Sequence, residues 1–261
     1  MRRVIALAAS VVLTLLGAWI YSQRDTYATA IGEQRSIALP DGSVVEMNAM
    51  SRIRIRFDRP ERRIDLLAGQ ALFRVAHDTT RPFVVYSDSA RIRAVGTEFD
   101  VYRKSTGTIV TVVEGRVAVL ADSSSPEQNS DLARPSSPAT PELSPGEPAS
   151  VAPQGKVFVS AGEQVTLTPQ VAPTPMPANL SAATAWTQRR LIFSATPLAE
   201  AAAEFNRYNS RQLIIDARGL ESFRINGVFS STNPAALLGF LREQPGITVT
   251  ETDREIRVNR K

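Results

Sequence analysis

Arg52-Ile53-Arg54-Ile55-Arg56-Phe57 (RIRIRF) alternates basic and apolar side chains without a break. A period of two sends successive side chains to opposite faces of a pleated strand, so Ile53, Ile55 and Phe57 share one face and the arginines the other. A helix would scatter both sets. The stretch therefore reads as a half-buried β-strand, and its neighbours follow the same grammar. From Arg35 to Leu120 short apolar runs are separated by turn residues at the roughly 8–12-residue spacing of an all-β unit. Upstream, Asp41-Gly42 between SIAL and VVEM marks a hairpin, because a tight primed turn needs φ > 0 and glycine adopts it cheaply. Downstream come ERRIDLL, ALFRVA, PFVVYS, ARIRAV, TEFDVY, TIVTVV and RVAVL, punctuated by Gly69, Gly96, Gly107 and Gly115. No run here has a period of 3.6, which argues against βαβ units. The expected fold is an all-β domain over residues 32–168, built of short strands in a sandwich-like or solenoid-like arrangement. Asp41, Gly42, Gly69, Gly96 and Gly115 are its expected fold-setting turns.

Residues 122–155 change to Ser, Pro, Ala, Glu and Gln, with too little apolar surface to order themselves. They read as a disordered insert. Lys156-Val157-Phe158-Val159 and residues 161–167 return to strand pattern, so the insert splits one β domain, which the slow growth of loop-closure cost permits. The Pro-rich stretch from Thr168 reads as an interdomain linker, residues 169–185. Residues 186–261 have a different pattern. A strand, Arg189–Phe193, leads to Thr196-Pro197, an N-cap and first-turn proline. Leu198, Ala201, Ala202, Phe205 and Tyr208 then recur at helical spacing. Strands Gln212–Ile215 and Arg224–Phe229 follow. Asn233-Pro234 opens a second helix that should stop at Pro245-Gly246, before strands at Ile247–Thr250 and Glu255–Val258. The expected order is β-α-β-β-α-β, a small α+β domain with both helices on one face.

At the other end, Val4–Ile20 is almost unbroken in its apolar character and follows Met1-Arg2-Arg3. At about 1.5 Å per residue such a helix reaches across a hydrocarbon core of roughly 30 Å, with Trp19 and Tyr21 at an interface. The expectation is a transmembrane helix over residues 4–21, a cytoplasmic stub over 1–3 and a juxtamembrane linker over 22–31. Ala28-Thr29-Ala30 resembles a signal-peptide cleavage site, but polar Ser22, Gln23, Arg24 and Asp25 lie between it and the apolar run, which favours retention. With Arg2 and Arg3 held on the cytoplasmic side, the rest of the chain is exported. The expected location is the inner membrane, single-pass, with the bulk in the periplasm.

Composition removes several chemistries. In 261 residues there is no cysteine and one histidine, so disulfides, thiolate metal sites and cysteine nucleophiles are absent. The net charge of +4 does not point to nucleic acid, since the arginines are spread through exported strands. It fits a solvated basic face near anionic lipid head groups. His77 at a strand end reads as a capping or surface residue. Val95-Gly96-Thr97-Glu98-Phe99 lacks the lysine and second glycine of a phosphate loop. Asp65, Asp100 and Glu114 read as separated, solvated carboxylates. No catalytic, cofactor or metal site is expected, and the protein is not expected to be an enzyme.

Gly32-Glu33-Gln34-Arg35, Leu39-Pro40-Asp41-Gly42-Ser43, the run Leu66–Asp78 (LLAGQALFRVAHD), Arg81-Pro82-Phe83, Val95–Phe99 and Val113-Glu114-Gly115-Arg116-Val117 occur in order. Together they resemble the periplasmic domain of FecR-type regulators, iron-responsive anti-sigma factors of Gram-negative bacteria, from about Gly32 to Leu167. Trp186, Arg190-Leu191-Ile192-Phe193, Phe205-Asn206-Arg207-Tyr208 and Gly227-Val228-Phe229 are similar to the secretin/TonB short N-terminal type of domain. The resemblance implies a signalling adaptor that meets the periplasmic signalling domain of a TonB-dependent outer-membrane receptor and regulates an extracytoplasmic-function sigma factor and iron-siderophore uptake. In that family a cytoplasmic domain before the membrane helix holds the sigma factor. Only Met1-Arg2-Arg3 stand there in this sequence, so a sigma factor is an expected partner only with a further N-terminal domain. Strand addition at the edge of the C-terminal domain, with Arg190 and Ile192 outward, is the expected docking mode. The alternative is an envelope scaffold or glycan-binding β module without a transcriptional role; a hydrolase would need a nucleophile–base pair that the sequence does not offer.

Overall fold

The computed structural model describes residues 25–57, 60–88, 90–121, 156–168, 173–216 and 219–260. The expected stub, membrane helix and insert (1–3, 4–21 and 122–155) lie outside them. No helix among the described residues is long and apolar enough to cross a membrane.

The first strands are β1 (Thr26–Ala28), β2 (Arg35–Ala38), β3 (Val44–Met47), β4 (Arg52–Arg56), β5 (Arg62–Arg74) and β6 (Phe83–Ser87). Then come β7 (Ala90–Ala94), β8 (Glu98–Lys104), β9 (Gly107–Glu114), β10 (Arg116–Ala121), β11 (Lys156–Ser160), β12 (Glu163–Leu167) and β13 (Met176–Pro177). The 13-residue β5 is the hub. ERRIDLL and ALFRVA, expected as two strands, are one. Opposite Arg52 and Ile53 the register skips Leu67, and two residues on Gly69 takes φ +78°, so the strand bulges and bends without ending. A Cβ at Gly69 would lie 2.6 Å from the Met50 carbonyl oxygen and 2.7 Å from Ser51 Cα, so only glycine allows β4 this close.

The bend lets β5 serve two layers. Its first half runs between β4 and β6, giving the order β1-β4-β5-β6-β7-β10-β11; its second half runs between β3 and β8, giving β2-β3-β5-β8-β9-β12-β13. The β5–β6 pair is parallel and the other pairs of these layers are antiparallel. Inward residues of both layers, among them Ile53, Ile64, Phe83 and Ile92 from one and Met47, Phe73, Phe99 and Val112 from the other, form one buried core. Phe73 stacks on Phe99 at 5.2 Å between centroids and meets Phe83 edge-on at 6.0 Å. The all-β part is thus a sandwich, not a solenoid.

Two segments expected as linkers carry structure. Thr26–Ala28, inside the expected juxtamembrane linker, pairs with β4. Within residues 169–185, β13 pairs with β12, and Asn179 caps a short helix, α1 (Leu180–Thr184), by accepting from the Ala182 N–H at 3.1 Å. A 3-10 turn, Ala185–Gln188, follows.

Beyond it run β14 (Arg190–Pro197), α2 (Leu198–Asn206), β15 (Gln212–Ile215), β16 (Arg224–Ser230), α3 (Ala235–Glu243), β17 (Ile247–Glu251) and β18 (Glu255–Arg260). The order is β-α-β-β-α-β-β: all five strands read from the sequence are present, and the expected formula β-α-β-β-α-β falls one short because it counts the closing pair, Ile247–Thr250 and Glu255–Val258, as one. The strands form two small sheets, β14-β16 and β15-β18-β17, with β15 parallel to β18. Trp186, Phe193, Phe205, Phe229 and Leu238 pack into a second core that also takes in Ala49 and Leu72 of the sandwich. The C-terminal segment therefore lies on the outer face of the second layer.

Candidate functional site

Across the second layer, Leu72, Asp100, Thr111 and Gln164 stand opposite one another on β5, β8, β9 and β12. Alternation turns them away from the sandwich core, toward the C-terminal segment. Asp100, read from the sequence as solvated, is only 2% exposed there. Its Oδ1 accepts from the Trp186 indole N–H at 3.2 Å and its Oδ2 from Gln70 Nε2 at 2.9 Å. Gln70 Oε1 in turn accepts from Asn48 Nδ2 at 2.8 Å and from Arg207 Nη1 at 3.3 Å. The Tyr208 hydroxyl donates to Asn48 Oδ1 at 2.8 Å, and Arg207 Nη2 donates to the Ala49 carbonyl at 2.8 Å. Arg207 also lies over the Tyr102 ring at 4.8 Å and pairs with Glu204 at 3.3 Å, while the Tyr102 hydroxyl donates to Glu204. The junction between sandwich and C-terminal segment is thus a connected polar network in which neither half alone satisfies all of its groups: Asp100 Oδ1, Asn48 Oδ1 and the Ala49 carbonyl take their donors from Trp186, Tyr208 and Arg207.

Burial pushes the Asp100 carboxyl up to about 7, against the opposing pull of the Gln70 and Trp186 donors and the Arg207 charge. The Tyr208 hydroxyl is raised by burial to about 12, and Tyr102 is raised further by burial and the Glu204 charge. For Arg207, burial lowers the pKa, but Tyr102 and Glu204 outweigh it and the net shift is upward. These groups hold the halves together. Asp65, also read as solvated, is 7% exposed and paired with Arg63 at 2.6 Å and Arg56 at 3.2 Å.

Beside the network opens a crevice of about 240 Å³. Ile109, Thr111 and Gln164 form one wall, Ala182 and Ala183 of α1 another, and β14 the third, with Asp100 also on its lining. Both residues singled out for docking, Arg190 and Ile192, line it. Their backbone direction follows from the ladder. The Ser231 N–H donates to the Arg189 carbonyl at 2.9 Å, and hydrogen-bonded pairs alternate along an antiparallel ladder. Leu191 and Phe193 therefore spend their N–H and C=O groups on β16, whereas Arg190 and Ile192 turn theirs to the other edge. Among the described strands β14 pairs only with β16, so that edge is open.

The expected fold-setting turns lie elsewhere, at the far end of the sandwich or at β5. Asp41 accepts from the Ser43 N–H at 3.1 Å and hydroxyl at 2.7 Å, and Gly42 beside it has φ +84°. Asp41 also pairs with Arg62 at 2.7 Å; Arg62, 1% exposed, further donates to the carbonyls of Arg81 and Ala76. Burial raises the Asp41 carboxyl, and the Ser43 and Arg62 bonds outweigh it to leave it below the usual range. Gly96 is needed for approach, since a Cβ there would lie 2.7 Å from His77 Nδ1; Gly115 closes the β9–β10 turn at φ +82°. Among the described residues no cluster of His, Cys, Asp and Glu could hold a metal ion. Of the network residues whose role the sequence reading missed, Asn48 and Gln70 carried a signal, as polar residues between apolar neighbours; Arg207, within Phe205-Asn206-Arg207-Tyr208-Asn209, and Tyr208, read as a buried helix position, carried none.

Residues 25–118 match the family model described as FecR protein. Two crystal structures of a candidate anti-sigma factor from Parabacteroides distasonis ATCC 8503 are similar in fold. Each has 22% sequence identity and a TM-score of 0.70 over 90% of this chain, and over 98% and 99% of theirs. A search of curated proteins finds no match. The similarity in fold extends past the family match, which ends inside β10, into the C-terminal segment.

Proposed function

Taking residues 25–118 as a FecR-type domain, we propose that the chain is a signalling adaptor held at the inner membrane by Val4–Ile20, with its folded part in the periplasm. It docks the signalling domain of a TonB-dependent outer-membrane receptor and so regulates an extracytoplasmic-function sigma factor and iron-siderophore uptake. The observation that carries this reading is the open edge of β14. Arg190 and Ile192 present unpaired backbone donors and acceptors along a crevice, and an extended partner strand can complete that ladder with main-chain hydrogen bonds alone. Charge adds direction, because the exposed Arg190 at the mouth favours an acidic partner edge.

The test is titration calorimetry of the full chain in nanodiscs against the periplasmic domain of a TonB-dependent receptor from the same organism. Ile192→Pro removes an N–H that β16 does not use, so the two-stranded sheet keeps its ladder and far-UV circular dichroism stays unchanged. Binding is expected to weaken at least tenfold. Wild-type affinity in that variant would discard the edge, and no binding by the unsubstituted chain would discard the receptor.

A further inference from the structure

The two outer faces of the sandwich differ. The second layer is covered by the C-terminal segment, whereas the first layer's outer face has nothing packed on it among the described residues. Register shows what it carries. One row across six strands reads Arg54, Asp65, Tyr86, Arg91, Leu120 and Lys156, and the next reads Arg56, Arg63, Val84, Arg93, Ala118 and Phe158. Arg52 and Arg116 extend the face at its ends. The carboxylates that bond to these arginines are consumed: Asp65 by Arg56 and Arg63, and Glu61 by Arg91. Arg52, Arg93 and Arg116 are exposed and make no ion pair among the described residues. Phe158, 54% exposed, projects from the same face beside Lys156, whose ammonium sits 4.8 Å from its ring. At about 4.8 Å per strand the face is roughly 25 Å across, about three times the Debye length of about 8 Å.

We propose that this face lies on the anionic phospholipid surface of the membrane, its arginines among the head-group phosphates and Phe158 at the interface. The proposal rests on the reading of Val4–Ile20 as a membrane span. Two observations select a lipid surface as occupant. Charge is complementary over a whole sheet face and not at a pocket, as a laterally uniform anionic partner requires. The chain also enters the fold on this layer: Asp25 O accepts from the Ile55 N–H at 2.8 Å and Thr26 stands opposite Arg54. From Tyr21, the end of the span, to Asp25 an extended chain reaches at most about 14 Å, so Asp25, and with it the β4 backbone at Ile55, is tethered within that distance of the end of the span. Docking this face would leave the C-terminal segment and the β14 edge on the side away from the membrane.

The chain contains no cysteine, so single labels are clean. The full chain carrying bimane at Phe158→Cys, or at Val228→Cys on β16 as control, is reconstituted in phosphatidylcholine vesicles with or without 30% phosphatidylglycerol and a head-group quencher. Quenching at position 158 is expected to rise at least twofold with the anionic lipid and to vanish in 0.5 M salt and in the Arg52→Glu/Arg93→Glu/Arg116→Glu variant. The label at position 228 should show no such rise. Flotation on both vesicle types with equal quenching at position 158 overturns the proposal while leaving the anchor intact. Flotation on anionic vesicles alone supports the face and removes the anchor; flotation on neither overturns both.

Discussion

Asp100 is a single carboxylate placed so that its ionisation is a property of the fold. Its folded pKa of about 7 exceeds the ordinary value of 3.8, so the folded chain takes up a proton the unfolded chain does not bind between those limits. The resulting stabilisation is full below about pH 4 and is lost as pH rises through about 7. Urea midpoints are therefore expected to fall between pH 5.5 and 8, and Asp100→Asn, which cannot ionise, should flatten that slope at a cost of about 1 kcal/mol at the lower pH. An unchanged slope would assign the titration to another group. Gly69 is the second residue on which much depends. Gly69→Ala would force a left-handed φ on alanine and push Cβ into the β4 backbone, so a loss of about 2–4 kcal/mol is expected in thermal or urea melts.

At the scale of elements, β5 is paired on both edges along most of its length, while β1 and β13 are short and marginal. Native-state amide exchange should therefore find the β5 core, Ile64 to Phe73, slowest and the β1 amides among the fastest. Uniform protection across the strands would contradict the hub. The same elements show what the sequence made legible. RIRIRF alternates because one face of β4 meets the core, and Leu198, Ala201, Ala202 and Phe205 recur because one face of α2 is buried; Tyr208, expected on the same helix, lies in the turn beyond its end at Asn206. Both are local periodicities. Gly69 misled because a glycine that ends a strand and one that bends it through φ > 0 look alike in sequence. β1 and β13 are too short to show a period. Asp100 gave no signal because its partner Trp186 lies 86 residues away, and burial by a distant segment is invisible to any local pattern. The β14 edge was approachable, since Arg190 and Ile192 alternate with buried Leu191 and Phe193, but which of them turned its backbone outward required the ladder.

For the whole molecule, the polar junction decides whether sandwich and C-terminal segment are two bodies on a linker or one folding unit. Arg207 is the sharpest probe. It reaches Gln70 and Ala49 on the sandwich, Glu204 on its own helix and the Tyr102 ring, and it is 8% exposed. Gly32 adds a backbone tie from the other side, its N–H donating to the Arg207 carbonyl at 3.0 Å. Arg207→Ala leaves the Ala49 carbonyl without a side-chain donor and removes the cation beside Asp100 and Glu204, a loss of about 2–4 kcal/mol. In a linked pair of independent domains that loss would separate them and split the melt into two transitions. In a single unit it lowers one transition. In a Trp19→Phe background Trp186, which sits on Asp100, is the single tryptophan of the chain, so its fluorescence reports the junction while far-UV circular dichroism reports the strands. The two signals are expected to coincide in that background and to shift together when Arg207→Ala is added. Fluorescence that moves ahead of the strand signal would mean that the junction opens first, and that a partner on the neighbouring β14 edge could be sensed without unfolding the sandwich.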